Sequence, residues 1–375
     1  MFAVPKFRFD EIAINSTEKK KPVETDRECY IGLEHLDSGC LKVKRWGSEV
    51  APIGDKLIMH EGDVLFGRRR AYQKKVAIAP FDGIFSAHGM VLRPRENVIC
   101  KEFFPFFISS DYFLDAAIKI SVGSLSPTIN WRDLAQLKFN IPSLAKQAVY
   151  ARMLWAIHRL DLAYKTLLLQ LDFLVQSQFM EMCEGETKRP IREICIRYGR
   201  GKAPNYVDHS NIYVVNQACI YWDGLHFDNV KYQNEELFKE ENKLLNGAVL
   251  LNATGTGTLG RSCVFTKAEG VYMADGHVSI FYTDPTLMYP RFLQVFFSLP
   301  ETQKHIYSEC VNGSTNQIEL SREKIGYLLI PTPSLAKQKD FMELVEQIDK
   351  SKLAIQQSLD ALEKSKKSIM SSIFD

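Results

Sequence analysis

The sequence predicts an α+β fold that occurs twice along the chain, with a long helix after each copy. The chain has 375 residues, which is enough for two or three domains. The sequence Pro-Ser-Leu-Ala-Lys-Gln occupies residues 142–147 and recurs at residues 333–338. Each copy opens a stretch of more than thirty residues without glycine or proline, and short apolar runs broken by Gly, Pro, Asn and Asp precede it. This pattern predicts the order globule, helix, globule, helix.

Other landmarks recur at offsets of 185 to 191 residues. Gly62-Asp63 resembles Gly247-Ala248, and the glycine turn at residues 122–124 resembles that at residues 312–314. The sequence Ala-His-Gly at residues 87–89 likewise resembles Ala-Asp-Gly at residues 274–276. Because the landmarks keep their order along a whole half, they indicate a tandem duplication.

Composition excludes several classes of protein. Hydrophobic residues make up 46% of the chain, and the formal net charge is only +2, so any nucleic-acid contact must come from local patches. No apolar run approaches the 18 to 20 residues or so that span a bilayer, and charged residues interrupt the N-terminal segment. We therefore expect a cytoplasmic protein without a membrane segment or secretory signal. None of the eight cysteines forms a Cys-x-x-Cys pair, so no metal site is predicted.

The two globular segments, residues 1–141 and 191–332, each combine strands and short helices. Strand-like runs include residues 56–59, 76–79 and 249–252, whereas the aromatic runs at residues 103–108 and 289–299 are typical of helices. Each segment is therefore predicted to be a mixed α/β domain.

The long helices carry apolar residues in a 3-4 alternation with a seven-residue repeat, which is the seam of a coiled coil. Ser143 and Ser334 are placed to cap the helix starts, and Gln147 and Gln338 to complete capping boxes. The alternative is two unrelated amphipathic helices on separate cores. The predicted seam residues are Leu154, Ile157, Leu168, Leu171, Val175, Phe341, Val345, Ile348, Ile355, Leu359, Leu362 and Ile369.

A helix of about 38 residues is roughly 57 Å long. If the two helices pair antiparallel, they carry the globular segments to opposite ends. DNA rises about 34 Å per turn, so such a spacer favours a bipartite DNA target with an unread gap.

The duplicated element Ile-Pro-(x-Pro)-Ser-Leu-Ala-Lys-Gln, at residues 141–147 and 330–338, resembles the specificity subunits of type I restriction-modification systems. The C-terminal stretch from Ile348 to Ile369 is similar to a conserved helix of that family. The resemblance implies two variable target recognition domains, at residues 1–142 and 186–333. It also implies two conserved spacer helices, at residues 143–185 and 334–375, that form an antiparallel coiled coil.

The resemblance further implies a non-catalytic chain that binds double-stranded DNA and two methylation (M) subunits, with or without restriction (R) subunits. Cofactors are expected on those partners and none in this chain: S-adenosylmethionine on the methylation subunits, and ATP and Mg²⁺ on the motor subunits. Two alternatives stay open. One is a DNA methyltransferase or nuclease with unrecognised motifs, and the other is a coiled-coil adaptor that binds proteins only.

The densest basic cluster lies in the first half, at residues 68–75. Arginine and lysine neutralise phosphates, and arginine or glutamine can also read base edges. The alternative interpretation is a solvated charged face. The candidate DNA-binding residues in this half are Arg68, Arg69, Arg70, Tyr72, Gln73, Lys74, Lys75 and Ser124.

The second half contains Gly-Thr-Gly-Thr-Leu-Gly at residues 255–260, which matches the dinucleotide-binding pattern literally. A β-like run follows in place of the required helix, so a glycine-rich loop near DNA, or a purely structural turn, is favoured. We interpret His88, Asp275 and His277 as structural residues. The candidate DNA-binding residues in this half are Arg200, Lys202, Tyr206, Asn216, Gln217, Thr256, Thr258, Arg261, Ser314, Thr315 and Asn316.

Overall fold

The computed structural model describes residues 5–50, 52–255, 257–266, 269–313 and 318–374. Two compact units divide the chain: unit 1 comprises Met1–Thr166 and Gln356–Asp375, and unit 2 comprises Leu167–Ile355. Both long helices contribute to both units. The predicted α+β class is confirmed, because each unit contains sheets and short helices beside its part of the long helices.

Unit 1 contains ten strands among the described residues. They are β1 (Lys6–Arg8), β2 (Ala13–Ser16), β3 (Lys19–Lys20), β4 (Tyr30–Ile31), β5 (Lys56–Met59), β6 (Val64–Phe66), β7 (Val76–Ile78), β8 (Gly83–Phe85), β9 (Met90–Pro94) and β10 (Lys138–Asn140). The helices that begin in this unit are α1 (Phe9–Ile12), α2 (Phe104–Ile108), α3 (Asp111–Lys119), α4 (Trp131–Leu134) and α5 (Leu144–Met182).

Two four-stranded sheets form the body of unit 1. The first has the order β2-β9-β6-β7 and is antiparallel throughout. The second has the order β3-β5-β8-β4, in which β4 and β8 are parallel. Strands β1 and β10 pair separately, just before the start of α5. Buried residues alternate with partly exposed ones along β5, as expected for a strand with one face in a core.

Aromatic rings fill the core between the first sheet and the helices of unit 1. Phe9, Phe107, Phe113 and Phe139 are buried and lie 5.0 to 6.5 Å apart as ring pairs. Phe374, near the end of the chain, stacks on Tyr112 at 4.6 Å. The core therefore holds the last turn of the C-terminal helix in unit 1.

Unit 2 contains fourteen strands among the described residues. They are β11 (Lys188–Pro190), β12 (Cys195–Arg200), β13 (Tyr206–Val207), β14 (Ile212–Val215), β15 (Ile220–Tyr221), β16 (Gly224–Leu225), β17 (Lys231–Gln233), β18 (Val249–Asn252), β19 (Ser262–Val264), β20 (Val271–Ala274), β21 (Val278–Thr283), β22 (Val311–Asn312), β23 (Glu319–Leu320) and β24 (Leu329–Pro331). Its helices are α6 (Ile191–Ile194), α7 (Pro290–Ser298), α8 (Pro300–Glu309), α9 (Arg322–Tyr327) and α10 (Leu335–Phe374).

The first sheet of unit 2 repeats that of unit 1, with the order β12-β21-β18-β19 and only antiparallel pairs. Its second sheet differs, with the order β13-β17-β14-β20. The parallel pair, β14 with β20, recurs, but here β20 is the edge strand, whereas its counterpart β8 is central in unit 1. Helices α7 and α8 each begin with proline, which is preorganised for a first helical turn.

The two long helices pack against each other antiparallel within each unit. In unit 2, Phe179 near the end of α5 contacts Phe341 near the start of α10, and Lys352 forms an ion pair with Asp172. In unit 1, Leu154 near the start of α5 belongs to the same core as Ile373 near the end of α10. Every predicted seam residue is buried or half-buried. Five of the seven predicted seam residues of α10 are buried, whereas on α5 Leu154 is buried and the other four are half-buried.

The capping boxes predicted at the helix starts are wrong. Gln147 is fully buried and accepts from Cys100 N at 2.8 Å, while its Nε2 donates to Val98 O and Pro142 O, both at 2.8 Å. Its counterpart Gln338 is equally buried and makes the matching three bonds, at 2.8 to 3.0 Å, to the backbone of residues 287, 289 and 333. Each glutamine therefore fastens its long helix to the preceding globular segment.

Candidate nucleic-acid interface

The predicted basic cluster forms the loop between β6 and β7, residues 67–75, which we call the basic loop. Arg70 and Lys74 are the non-glycine residues with positive φ in the described ranges, at 55° and 49°. This left-handed conformation costs an ordinary residue about 1 to 3 kcal/mol. The strain persists because the loop is fastened from outside: Arg70 N donates to Pro127 O at 2.8 Å, and Ile129 N donates to Arg68 O at 3.0 Å.

The side chains of the basic loop divide into two groups. Lys74 Nζ contacts Asp111 and Asp115 of α3 at 2.6 and 2.9 Å, and these hydrogen bonds raise the Lys74 pKa. Lys75 Nζ donates to Leu33 O at 2.6 Å, so both lysines are engaged within unit 1. Arg69, Arg70 and Tyr72 are exposed, with Tyr72 at 56%. Arg68 and Gln73 are half-buried.

A second polar group lies beside the basic loop. Arg69 Nε donates to Ser126 Oγ at 3.0 Å, and its Nη1 lies 3.4 Å from His88 Nε2. Partial burial and the Arg69 charge lower the His88 pKa, which favours the neutral imidazole at neutral pH. Ser124 is exposed on the adjoining turn. The structure thus brings together Arg69 and His88, although the sequence indicates a structural role for His88.

Unit 2 has a loop of the same length in the equivalent place, residues 253–261 between β18 and β19, which we call the glycine loop. Positive φ falls here on Gly255, Gly257 and Gly260. A β-strand follows the loop, which rules out the dinucleotide-binding alternative as expected. Thr258 Oγ1 donates to Thr254 O at 3.2 Å within the loop. The Arg261 guanidinium lies 5.1 Å from the centre of the Tyr221 ring.

Beside the glycine loop, unit 2 has a polar cavity of about 360 Å³. Three of the candidate DNA-binding residues, Tyr206, Asn216 and Gln217, line this cavity. The rest of its lining comes from residues that are not among the candidates. The lining residues are Tyr206, Asn216, Gln217, Ala218, Asn229, Lys231, Asp275 and His277.

Short hydrogen bonds organise the polar cavity. The Tyr206 hydroxyl donates to Asp275 Oδ2 at 2.6 Å, and burial together with this carboxylate raises the Tyr206 pKa, so the phenol stays protonated. Asp275 Oδ1 accepts from His277 N at 2.8 Å. Asn216 caps a short turn through Ala218 N at 2.8 Å. The Lys231 ammonium lies 4.8 Å from the Tyr206 ring centre.

Other predicted residues of unit 2 have different surroundings. Arg200 donates to Gly276 O and Leu320 O at 3.1 and 2.6 Å and pairs with Glu319 at 2.9 Å, so its guanidinium is engaged within the fold. Lys202 is exposed. Four predicted residues lie outside the described ranges: Thr256, Ser314, Thr315 and Asn316.

Asp275 and His277 line the cavity and Thr254 lies beside it, and none of the three is among the candidate residues predicted from the sequence. Thr254 Oγ1 lies 3.1 Å from both Gln217 Oε1 and His277 Nδ1. One signal was available, because Asp275 and His88 occupy the same place in the duplicated Ala-x-Gly, and both now lie in the polar groups described above. The described ranges contain no group of three His, Cys, Asp or Glu residues suited to a metal ion. Their helices also include none with the length and hydropathy of a membrane span.

Comparison with protein families gives the class of this fold. Residues 30–170 match the model described as the type I restriction modification DNA specificity domain. Over these residues the chain is similar to that family, and the predicted resemblance to type I specificity subunits is confirmed.

Individual relatives agree with this class. The chain is 26% identical over 142 residues to the type I restriction enzyme EcoDI specificity subunit of Escherichia coli. The match covers 37% of this chain and spans about a third, 31%, of that relative.

Two solved structures share the fold over nearly the full length. One, from work on complex assembly and conformational transition of a type I R-M system, is 15% identical to this chain and has a TM-score of 0.55. The alignment covers 100% of this chain and 99% of the chain in that structure. The other is the crystal structure of the S subunit of a type I restriction-modification system from M. genitalium. It is 13% identical and has a TM-score of 0.56, with 99% and 96% of the two chains covered.

Proposed function

We propose that this chain is the non-catalytic, sequence-specific DNA-recognition subunit of a type I restriction-modification complex. Each unit reads one half of a bipartite target, and the long helices set the gap between the halves. The observation that carries this proposal is that the two units share one sheet arrangement, which we call the frame, but carry chemically different loops on it. Both units keep the same four-stranded sheet and a loop of nine residues in the same place, yet one loop is basic and the other glycine-rich.

The partners follow from the family and from one exposed helix face. Along α5, Met153 and Leu160 are 45% and 47% exposed in unit 1, and Leu167 and Leu174 are each 40% exposed in unit 2. These residues recur every seven positions outside the seam, which is the spacing that a partner helix contacts. We assign this face to the methylation subunits. S-adenosylmethionine, and ATP with Mg²⁺ where restriction subunits are present, belong to the partners.

Mapping of methylated bases in genomic DNA tests the recognition role. Cells that contain this chain and its methylation partner should carry an interrupted, two-part methylated motif that disappears when this chain alone is deleted. Exchanging residues 1–142 for another recognition domain should change one half of the motif and leave the other intact. A motif that survives the deletion, or an exchange that alters both halves, would contradict the proposal.

The salt dependence of DNA binding tests the basic loop. Each phosphate contact contributes about 0.9 to the slope of log affinity against log salt. Arg69→Ala and Arg70→Ala should each weaken binding to all sequences and lower that slope by about one. Lys74→Ala is the matched control, because its ammonium is already paired with two carboxylates. Equal effects of all three changes would argue against phosphate contact by the exposed arginines.

Substitutions on the exposed face of α5 test the docking surface. Leu160→Glu and Leu167→Glu should abolish co-purification with the methylation subunits, because a partner helix would bury the new charge. Leu353→Glu on α10 is the control, since Leu353 is 61% exposed and lies on the other long helix. Retention of the subunits by both α5 variants would overturn the assignment. Binding of S-adenosylmethionine by the isolated chain would instead favour the methyltransferase alternative.

A further inference from the structure

Three side chains of unit 2 form a hydrogen-bonded relay centred on Thr254. The Thr254 hydroxyl donates to Gln217 Oε1 at 3.1 Å, and the same oxygen lies 3.1 Å from His277 Nδ1. A hydroxyl has one proton, and here it is given to Gln217, so the His277 contact requires Nδ1–H as the donor. Thr254 thereby sets the orientation of both side chains at once.

The backbone around the relay is fixed independently of it. Asp275 accepts from His277 N at 2.8 Å, and the Asn252 side chain donates to Gln217 O at 3.0 Å. Gly255 packs tightly against the Gln217 side chain, because a Cβ added at this glycine would lie 3.0 Å from Gln217 Oε1. The side chains of Gln217 and His277 are thus held from one end, with both residues lining the polar cavity.

The relay leaves a defined pattern of donors and acceptors. Gln217 Oε1 and His277 Nδ1 are both occupied by Thr254 and lie within about 6 Å of each other. The remaining nitrogens are Gln217 Nε2, a donor, and His277 Nε2, an acceptor when the imidazole is neutral. In the major groove adenine presents an acceptor at N7 and a donor at N6, whereas guanine presents two acceptors. A donor and an acceptor side by side on the protein therefore complement the adenine edge, whereas the two acceptors of guanine would place one acceptor against His277 Nε2.

We propose that Gln217 and His277 read an adenine in the half-site of unit 2, and that Thr254 is the positioning residue that orients them. This inference rests on the proposed function, since it assumes that unit 2 contacts a DNA half-site. Gln217 Nε2 donates to N7, and the adenine N6 amino group donates to His277 Nε2. Thr254 does not touch the base.

Selection from a duplex library with randomised half-sites tests this assignment, with the full chain assembled with its methylation subunits. Thr254→Val keeps the shape of the side chain but removes the hydroxyl. We expect it to lower the preference for adenine over guanine at one position of the unit 2 half-site by roughly 5- to 150-fold, the range of one base contact. His277→Ala should relax the same position. Thr254→Ser retains the hydroxyl and should keep the preference.

The first half-site is the internal control for folding, because its preference should be unchanged in every variant. The relay is refuted if Thr254→Val selects the same half-site as the wild type, or if Thr254→Ser relaxes it equally. Failure of the wild-type complex to select any bipartite sequence refutes the proposed function itself, so the two failures are distinct.

Discussion

The basic loop of unit 1 and the glycine loop of unit 2 occupy the same place in the same sheet but obtain their shape differently. Each contains nine residues, and each accepts a backbone bond from the segment before a short helix: Ile129 N donates to Arg68 O, and Leu320 N to Ala253 O. Positive φ falls on Arg70 and Lys74 in one loop and on glycines in the other. The sheet fixes where each loop begins and ends, while the sequence within the loop carries different chemistry.

Loss of the buried glutamines should have the largest effect and should be equal in the two units. Gln147→Leu leaves three backbone groups without their partner, and Gln338→Leu does the same in unit 2. We expect each to lower the free energy of unfolding by about 2 to 5 kcal/mol. Hydrogen exchange followed separately in each unit measures this. The exposed Gln357→Leu is the control, and unequal losses would break the equivalence of the two joints.

Substitution of Gly255 should have an intermediate effect, confined to unit 2. At a φ of 96°, an alanine Cβ would lie 2.3 Å from Thr258 Oγ1 and 3.0 Å from Gln217 Oε1. Gly255→Ala should therefore cost about 1 to 3 kcal/mol. The matched control is Gly257→Ala, which has a similar φ of 80° but open space around it. If thermal unfolding shows equal losses for both, backbone strain alone explains the effect.

The smallest effect concerns the strain at Arg70. Arg70→Gly should raise the free energy of unfolding by at most about 1 kcal/mol relative to Arg70→Ala, because glycine adopts positive φ without steric cost. Both variants should lose DNA affinity equally, since both lack the guanidinium. Denaturant unfolding and a DNA titration test the two parts. Lower stability of the glycine variant would show that its backbone entropy outweighs the relieved strain.

Sequence periodicity anticipated most of the fold. The runs at residues 56–59 and 249–252 are β5 and β18 as expected, and the aromatic run at residues 289–299 contains α7. The sequence does not predict that the second sheets of the two units differ in strand order, because strands of two to four residues carry little periodic signal. Pairing among such strands is decided by tertiary contacts.

The candidate site was anticipated in part. Residue type marked Gln217 and Tyr206 as candidate DNA-binding residues, and the two line one cavity. Their contact with DNA stays a prediction. The pairing of Lys74 with α3 was not predictable, because its partners are 37 and 41 residues away in sequence. Thr254 was missed for a related reason, since its importance comes from two neighbours that are also distant along the chain.

The buried glutamines have a consequence for how such proteins diversify. Gln147 and Gln338 recognise only backbone amides and carbonyls of the segment that each one holds. The hydrogen bonds of such a joint do not depend on which side chains the segment carries. A new globular segment that recombination joins to an old helix can therefore keep these hydrogen bonds, provided that its backbone passes the glutamine in the same way.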